Sequence, residues 1–390
     1  MQASAQDKSS PFLARPEGFG PPGYDYQVAT LDDLPVRADL VGKKPYGAPM
    51  VAVPYALNVN ENTHPIPAAV RDSIMSAVAT ALQTINRYPD REFTELRRAL
   101  ADYANSRGST TSVNPDMVWA ANGSNEVLQH VLQAFGGPGR SLLGFPPTYS
   151  MHPIIAEATG TRWVEGARAL DYSLSEESVV EDIRTHQPDL VFFCAPNNPT
   201  GTPVSLEVIE AAYDATSGMV LVDEAYVEFL PEGSPTAQDL LAGRERLIIS
   251  RTMSKAFAFA GARVGYILAD PAVNDALRLV RLPYHLSALT QAAAVAALRH
   301  ADVMLAMVDD IRSQRDRLLQ ELPSLGYTVH ASHANFVLFG GIDNPQQLFS
   351  ALLERGILVR DVGIAHHLRV TAGTKAETTA FLEALVTLQA

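Results

Sequence analysis

The sequence predicts an α/β fold, in which a mostly parallel mixed sheet has helices on both faces and a smaller α/β domain lies beside it. From about residue 117, short apolar runs alternate with longer amphipathic stretches, which is typical of parallel strands joined by helices. After about residue 285, a long helical stretch is followed by four further apolar runs and a final helix. The length of 390 residues is sufficient for two packed units.

The first group of apolar runs predicts the strands of the larger sheet: MVWAAN, SLLGF, DLVFFC, MVLVDE, LIISR and VGYIL. The stretch TQAAAVAALRHADVMLAMVDDIRSQRDRLLQEL then has the length and apolar spacing of one long or broken helix. A second group predicts the smaller sheet and the last helix: YTVHA, NFVLFG, GILVRD, LRVTAG and KAETTAFLEALVTLQ. The long helix is therefore expected to join two α/β regions.

Composition excludes several classes of protein. The single cysteine, Cys194, rules out an intrachain disulfide framework and a cysteine-based metal cluster, and it favours a reducing, cytoplasmic setting. The first residues lack a basic region followed by an apolar one, so no secretory signal is expected, and no uncharged apolar run is long enough to span a bilayer. A net charge of −13 without a basic block opposes nucleic-acid binding.

Ligands of such sheets bind beyond the carboxyl ends of the strands, so the residues that follow each apolar run are the candidates for a site. Gly123 and Ser124 follow the first run and precede a helix, where open backbone N–H groups suit a phosphate. The alternative is that Ser124 or Asn125 is only a helix N-cap. Tyr149 follows the second run, and it either packs in a loop or offers a flat surface to a planar ring.

Two polar residues follow the next strands. Asn198 lies in APNNPTG, which is either a simple turn or a turn that aims an amide at a ligand oxygen. Asp223 ends a strand that should be buried on both faces, where an ionised carboxylate needs a cationic partner. That partner is either an arginine of the protein or a protonated ring nitrogen of a cofactor.

The segment RTMSKAFAFAGARVGY places Lys255 between two hydroxyl residues, Thr252 and Ser254, and Arg263. The simplest interpretation is a helix start with a solvated lysine. A serine-lysine hydrolase site lacks its companion motifs, and the H-E-x-x-H, Walker A and G-x-G-x-x-G motifs are absent. His366 and His367 lack a ligand-like helical spacing, so no metal site is predicted.

Taken together, these residues describe a pyridoxal 5′-phosphate (PLP) site at one edge of the sheet. The chain resembles the fold-type I aminotransferases over nearly its whole length, and among them the histidinol-phosphate aminotransferases of the actinobacterial type. The motifs that carry the resemblance are LDDLPVRADLVGKKPYGAP, NVNEN, RYPD, AANGSNEVLQ, APNNPTG, VDEAYVEF, RTMSKAFAFAGARVGY, RLPYHLS and ANFVLFG, LVRDVG, LRVTAGT. As an ordered set they are highly specific.

The resemblance implies a role for each residue at the cofactor. Lys255 would bind PLP covalently, and Asp223 would pair with the pyridine nitrogen. Tyr226 and Asn198 would hydrogen-bond the phenolic oxygen of the ring, and Tyr149 would stack on it. The phosphate would be held by Gly123, Ser124, Asn125, Thr252, Ser254 and Arg263.

The implied reaction converts L-histidinol phosphate and 2-oxoglutarate into imidazole-acetol phosphate and L-glutamate in histidine biosynthesis, with Lys255 as general base and acid. Arg369 and Arg360 would meet the anionic ends of the substrates. Further candidates for the substrate pocket are Tyr46, Asn335 and Tyr284–His285. Tyr88 would reach the PLP phosphate of a neighbouring subunit, so the active unit would be a homodimer.

The resemblance also implies the domain organisation. Residues 1–30 would form a disordered or arm-like extension, and 31–65 an arm that contributes to the small domain and the dimer. Residues 66–290 would form the large PLP-binding domain, and 291–390 the small domain. Two departures from the family pattern are Thr63 in place of proline, which is expected to change only loop stiffness, and a short interval between Arg360 and Arg369.

Three alternatives share this fold. An aminotransferase for aromatic amino acids has the same PLP motifs and differs in substrate. A PLP-dependent decarboxylase or lyase would not form keto product and glutamate in equal amounts. A PLP-fold regulator would carry a DNA-binding domain, which the Pro-rich segment before the main fold does not resemble.

Overall fold

The computed structural model of the protein describes residues 30–43 and 45–389. These residues fall into two compact units, one up to Pro49 and one from Met50 onward. The first unit contains two short 3₁₀ turns, Leu31–Asp33 and Ala38–Leu40. The predicted extension over residues 1–30 lies outside the described residues except for its last residue, and the predicted domain boundaries stay predictions.

The second unit alternates strands and helices in the predicted way. Its strands are β1 Tyr55–Ala56, β2 Val118–Ala121, β3 Ser141–Gly144, β4 Arg162–Glu165, β5 Leu190–Cys194, β6 Met219–Asp223, β7 Leu247–Thr252, β8 Gly265–Ala269, β9 Thr328–Val329, β10 Phe336–Gly340, β11 Ile357–Leu358 and β12 Leu368–Thr371. Its helices are α1 Ala68–Leu82, α2 Thr94–Ser106, α3 Ser124–Phe135, α4 Met151–Ala158, α5 Glu176–His186, α6 Leu206–Ala215, α7 Pro271–Val280, α8 Ala288–Leu298, α9 Ala301–Ser324, α10 Pro345–Glu354 and α11 Lys375–Gln389.

Seven strands form the large sheet, in the order β2-β8-β7-β6-β5-β3-β4. All neighbours are parallel except β8, which is antiparallel to both β2 and β7. The predicted mostly parallel mixed sheet is therefore confirmed. Most of its strands are buried along their whole length, as expected of strands covered by helices on both faces.

The smaller sheet has the order β12-β10-β9 and is antiparallel, while β11 pairs in parallel with β1 near the start of the unit. The predicted long or broken helix is broken: α8 and α9 meet at a bend of 75°. Within the described residues, no single helix has the length and apolar character to cross a membrane, although α8 and α9 pass that test as a bent pair. The hydroxyl of Thr63 donates a 2.6 Å hydrogen bond to Glu377 on α11, so this departure from the family pattern does more than change loop stiffness.

Candidate active site

One edge of the large sheet collects the ends of five strands. Strands β2, β3, β5, β6 and β7 run in the same direction, and β8 begins where they end. In the register of the sheet, Asp223 lies beside Cys194 and Ser250, and Gly265 lies beside Ala121 and Thr252. The polar residues that follow these strands are therefore brought to a common edge, as the sequence predicts.

The start of α3 lies against Arg263. Gly123 occupies the N-cap with φ +84°, and no side chain caps the helix, so the N-cap role considered for Ser124 or Asn125 is not observed. A Cβ atom at Gly123 would overlap the guanidinium of Arg263, and a Cβ at Gly265 would overlap the backbone at Ser124. Glycine is needed at both positions because a guanidinium and a helix N-terminus meet there, which is an arrangement suited to an anion.

The predicted phosphate-binding hydroxyls belong to the same cluster. Thr252 Oγ1 donates to Ser254 Oγ at 3.0 Å, and the Ser254 backbone N–H donates to Thr252 Oγ1 at 3.2 Å. Arg263 Nη1 lies 3.5 Å from Ser254 Oγ and donates to the carbonyl oxygen of Ala260 at 3.1 Å. Two hydroxyls, one guanidinium and the start of α3 thus form a compact set of donors for a phosphate group.

Lys255 is not at the start of a helix. It lies in a turn after β7, partly buried, and its Nζ donates a 3.0 Å hydrogen bond to the carbonyl oxygen of Val59. Burial, together with the positive charge of Arg369, lowers the pKa of Lys255 from 10.5 to about 8. A larger fraction of this amine is therefore uncharged and nucleophilic near neutral pH than in an exposed lysine.

Asp223 is a buried carboxylate, and only one of its two oxygens has a hydrogen-bond partner in the described residues. Its Oδ2 lies 3.2 Å from Nε2 of His152, a buried residue of α4. Its Oδ1 has no hydrogen-bond partner within the described part of the chain. Because an unsatisfied buried carboxylate oxygen is costly, this atom is placed to accept a hydrogen bond from a ligand, and a protonated ring nitrogen is a suitable donor.

The phenol of Tyr226 is held by two amides. Its oxygen accepts hydrogen bonds from Nδ2 of Asn60 at 2.9 Å and from Nδ2 of Asn198 at 3.3 Å. Asn198 Oδ1 in turn accepts a 2.6 Å hydrogen bond from Arg369. Burial raises the pKa of Tyr226 well above its usual value, so the phenol is neutral and able to donate its proton. Asn198 is thus engaged at both ends of its amide by protein groups.

The segment 58–62, which the sequence presents only as the motif NVNEN, crosses this edge and accepts hydrogen bonds from three candidate residues. Its carbonyl oxygens accept from Arg369 Nη2 at 2.7 Å, Lys255 Nζ at 3.0 Å and Asn335 Nδ2 at 3.0 Å. The role of Asn60 and that of His152 are not predicted from the sequence. The available signal for Asn60 is three asparagines in five residues, since asparagine tolerates the left-handed conformation that Asn60 adopts, with φ 57°.

Tyr149 lies between the aspartate and the start of α3. Its ring packs edge-on against His152, with centroids 5.5 Å apart, and its hydroxyl donates to Asn125 Oδ1 at 3.1 Å. The ring is therefore close to the Asp223–His152 pair, and its stacking on a ligand stays a prediction.

The two arginines proposed for the substrate are neighbours. Arg360 and Arg369 form an antiparallel bridge and exchange backbone hydrogen bonds of 2.9 and 2.8 Å. Asn335 directly precedes β10 and is fully buried, and its Oδ1 has no hydrogen-bond partner in residues 30–43 and 45–389. Arg369 and Asn335 thus connect the smaller sheet to the segment 58–62 that crosses the site.

The remaining candidates are not in contact with the residues above in the described hydrogen bonds and ring contacts, or belong to the first compact unit. Tyr88 is 81% exposed and stacks on Tyr284, with ring centroids 4.5 Å apart. His285 lies at the edge of the core. Its ring packs against Trp119, and its Nε2 lies 2.8 Å from the carbonyl oxygen of Ala120. Tyr46 belongs to the first compact unit. The roles of these residues stay predictions.

Comparison with known proteins identifies the family of the chain. The family model for aminotransferase class I and II matches residues 54–385. The chain is 58% identical to a histidinol-phosphate aminotransferase of Paenarthrobacter aurescens (93% of this chain, 97% of that protein) and 54% identical to one of Frankia casuarinae (94% of each). In structure it is similar to the histidinol-phosphate aminotransferase of Sinorhizobium meliloti in complex with pyridoxal-5′-phosphate, with a TM-score of 0.75, 24% identity and coverage of 86% of this chain and 92% of that one. The chain therefore belongs to the class I and II aminotransferase family.

Proposed function

We propose that the protein is a PLP-dependent transaminase that converts L-histidinol phosphate and 2-oxoglutarate into imidazole-acetol phosphate and L-glutamate, in histidine biosynthesis. The observation that carries the proposal is the meeting, at one sheet edge, of the Lys255 amine, the Asp223 carboxylate and the donors around Arg263. Relatives that cover nearly the whole chain at 54–58% identity carry the name of this activity.

The residues present fit PLP. Its phosphate would be held by the start of α3, the hydroxyls of Thr252 and Ser254, and Arg263. Asp223 Oδ1, buried and without a partner among the described residues, would accept a hydrogen bond from the ring nitrogen. Lys255 would bond to the aldehyde carbon through the neutral form of its amine, which its lowered pKa favours.

Bound PLP supplies an electron-accepting ring that stabilises the negative charge left when a proton is removed from the substrate Cα. Asp223 would hold the ring nitrogen in its protonated form, because the buried carboxylate is more stable beside a cation. The Nζ atom of Lys255, free once the substrate amine has taken its place on the cofactor, would act as the general base that accepts the proton of the substrate Cα and as the general acid that returns it. The hydroxyl of Tyr226 would donate to the phenolic oxygen of the ring.

The same site must bind two different anionic substrates in turn. Arg369 is buried, bonded to Asn198 and to the carbonyl of Asn58, and thus fixed for a carboxylate or phosphate. Arg360 is its bridge partner, so the two side chains leave the backbone on the same face. Two arginines placed in this way suit a phosphorylated amine better than a neutral aromatic side chain, which favours histidinol phosphate over an aromatic amino acid as the amino donor.

The proposal includes a cytoplasmic homodimer in which Tyr88 completes the partner's site. Tyr88 and Tyr284 are stacked and solvent-exposed, and several apolar side chains nearby in sequence are also more than half exposed: Met75, Leu82, Ile85, Leu279 and Leu282. The stacked tyrosines join the two stretches of chain that carry these residues, and exposed apolar side chains that lie together are typical of a protein interface. A dimer that buries them would bring Tyr88 to a second copy of the chain.

The test is a comparison of kcat/KM for L-histidinol phosphate and L-phenylalanine, with 2-oxoglutarate as acceptor and PLP-loaded protein. Because a charged hydrogen bond contributes roughly 1.5–3 kcal/mol, we expect histidinol phosphate to be preferred by about 10- to 100-fold or more. A preference for phenylalanine would support the aromatic aminotransferase instead. A transaminase must also form keto product and glutamate in equal amounts, and a decarboxylase or lyase would not give this ratio.

A further inference from the structure

The hydroxyl of Tyr226 is enclosed by two amides that come from distant parts of the chain. Asn60 lies before the first helix of the second unit and Asn198 follows β5, yet both donate an Nδ2 hydrogen to the same phenol oxygen, at 2.9 and 3.3 Å. All three side chains are at least nine-tenths buried. The two amides therefore occupy the positions at which the phenol oxygen accepts hydrogen bonds.

Each amide is oriented by a residue of β12. Arg369 donates to Oδ1 of Asn198, which leaves the Nδ2 group of Asn198 facing Tyr226. Thr371 Oγ1 accepts from the Asn60 backbone N–H at 3.1 Å and donates to Asn60 Oδ1 at 3.2 Å. Because Arg369 and Thr371 are two residues apart on a strand, their side chains share one face of the sheet.

The consequence concerns the proton of Tyr226. A hydroxyl has one hydrogen to donate, and once its oxygen accepts two hydrogen bonds that hydrogen must point elsewhere. The amide orientations exclude Asn60 and Asn198 as acceptors, because both present N–H groups to the phenol. The hydrogen is thus directed away from the two amides and is available to a ligand oxygen.

We propose that Asn60 and Thr371 are positioning residues that fix the direction of the Tyr226 O–H toward the phenolic oxygen of the cofactor. This inference rests on the proposed function. Asn198, oriented by Arg369, helps to fix the same direction through its own hydrogen bond to the phenol. Thr371 acts only through Asn60, because its hydroxyl contacts both the backbone and the amide of that residue.

Substitutions at Asn60 and at Thr371 remove these hydrogen bonds with little other change. Asn60→Gly deletes the amide and keeps the left-handed backbone at φ 57°, which glycine adopts without strain. Thr371→Val keeps the side-chain shape and deletes the hydroxyl, and Thr371→Ser restores the hydroxyl. Thr378→Val is the matched control, since Thr378 is also buried but its Oγ1 has no hydrogen-bond partner in the described chain.

Two quantities are measured. The first is the midpoint pH at which the visible absorbance of the PLP-loaded protein changes during a pH titration, and the second is the Kd of the apo-protein for PLP. Tyr226→Phe calibrates the direction of the midpoint shift. We expect Asn60→Gly and Thr371→Val to shift the midpoint in that direction by a smaller amount, and to weaken PLP binding by roughly 3- to 10-fold, as for loss of one hydrogen bond. Thr371→Ser and Thr378→Val should match the wild type.

Two results would overturn the inference, and they are distinguishable. If Tyr226→Phe shifts the midpoint but Asn60→Gly and Thr371→Val do not, Tyr226 acts at the cofactor without help from Asn60 and Thr371. If Tyr226→Phe leaves the midpoint unchanged, the role of Tyr226 in the proposed function fails as well. Melting temperatures of the apo-proteins show whether each variant is folded.

Discussion

Arg360 and Arg369 exchange both of their backbone hydrogen bonds across an antiparallel bridge, at 2.9 and 2.8 Å. Directly opposed residues of an antiparallel pair have Cβ atoms about 5 Å apart on the same face. The short sequence interval between these residues therefore brings the two side chains together rather than separating them. A dianionic phosphate can be met by both.

We predict that Arg360→Gln lowers kcat/KM for histidinol phosphate by about 10- to 100-fold, because a charged hydrogen bond to the phosphate is lost. The value for phenylalanine, which has no phosphate, should change by less than about 3-fold. Steady-state rates with both donors measure this. An equal loss for both donors would show that Arg360 supports the fold of the site and does not read the phosphate.

Gly123→Ala should specifically weaken the binding of PLP. A Cβ at this position would push away Arg263, and φ +84° is unfavourable for alanine. Gly108→Ala is the matched control, because Gly108 has φ +83° and nothing within 4 Å of an added Cβ. Gly108→Ala should lose about 1 kcal/mol of folding free energy, and Gly123→Ala should lose more, because its φ of 84° and ψ of 164° lie in a region that is essentially restricted to glycine. Only Gly123→Ala should lose PLP affinity, by 10-fold or more in an apo-protein titration. Equal PLP affinities for the two variants would contradict the anion site at α3.

The lowered pKa of Lys255 means that the charged form of this lysine reduces the free energy of unfolding of the apo-protein. Between about pH 8 and 10.5 the unfolded chain binds more protons at this lysine than the folded chain does, so its contribution to stability rises with pH over that window. Below about pH 8 this loss of unfolding free energy is fully present, and it amounts to about 3 kcal/mol at most.

Lys255→Met should therefore stabilise the apo-protein at pH 7, and the gain should disappear by about pH 10.5. Chemical denaturation of the wild type and the variant at several pH values measures the difference, in which other titrating groups cancel. A constant difference across this range would mean that Lys255 is not held in a site that disfavours its charge.

Tyr88 is predicted to act on the partner's site, and mixed dimers can test this. A hybrid of a Lys255→Ala chain and a Tyr88→Ala chain contains one site with both native residues, provided that Tyr88 crosses the dimer interface. After unfolding and refolding a mixture of the two variants, we expect activity of about a quarter of the wild-type value, from random assortment. Activity no greater than the mean of the two separate variants would place Tyr88 outside the partner's site.

The parts of the fold that the sequence predicts are those where burial leaves a clear pattern. Strand β5 is a continuous apolar run, β6 is one up to its last residue, Asp223, and β7 begins with one and ends at Thr252. Strand β4 is absent from the sequence prediction because it lies at the sheet edge, where Arg162 and Glu165 are exposed and interrupt the apolar run.

The parts of the site that the sequence does not reveal are made by contacts across long separations. Asn60 bonds to Thr371, 311 residues away, and no local pattern reports such a pairing. His152 lies in the first turn of α4, where a histidine is also common as a packing residue, and only the fold brings it to Asp223. The resemblance to a family supplies the roles of Lys255 and Arg369, while the structure supplies the groups that orient them.

The most direct test of the account is to identify the lysine that bonds to PLP. The PLP-loaded protein would be reduced with borohydride, digested and analysed by mass spectrometry, with Lys255→Ala as the control. We predict that the cofactor mass is found on the peptide containing Lys255 and is absent from the variant. Modification of another lysine, or of none, would contradict the site described for this protein.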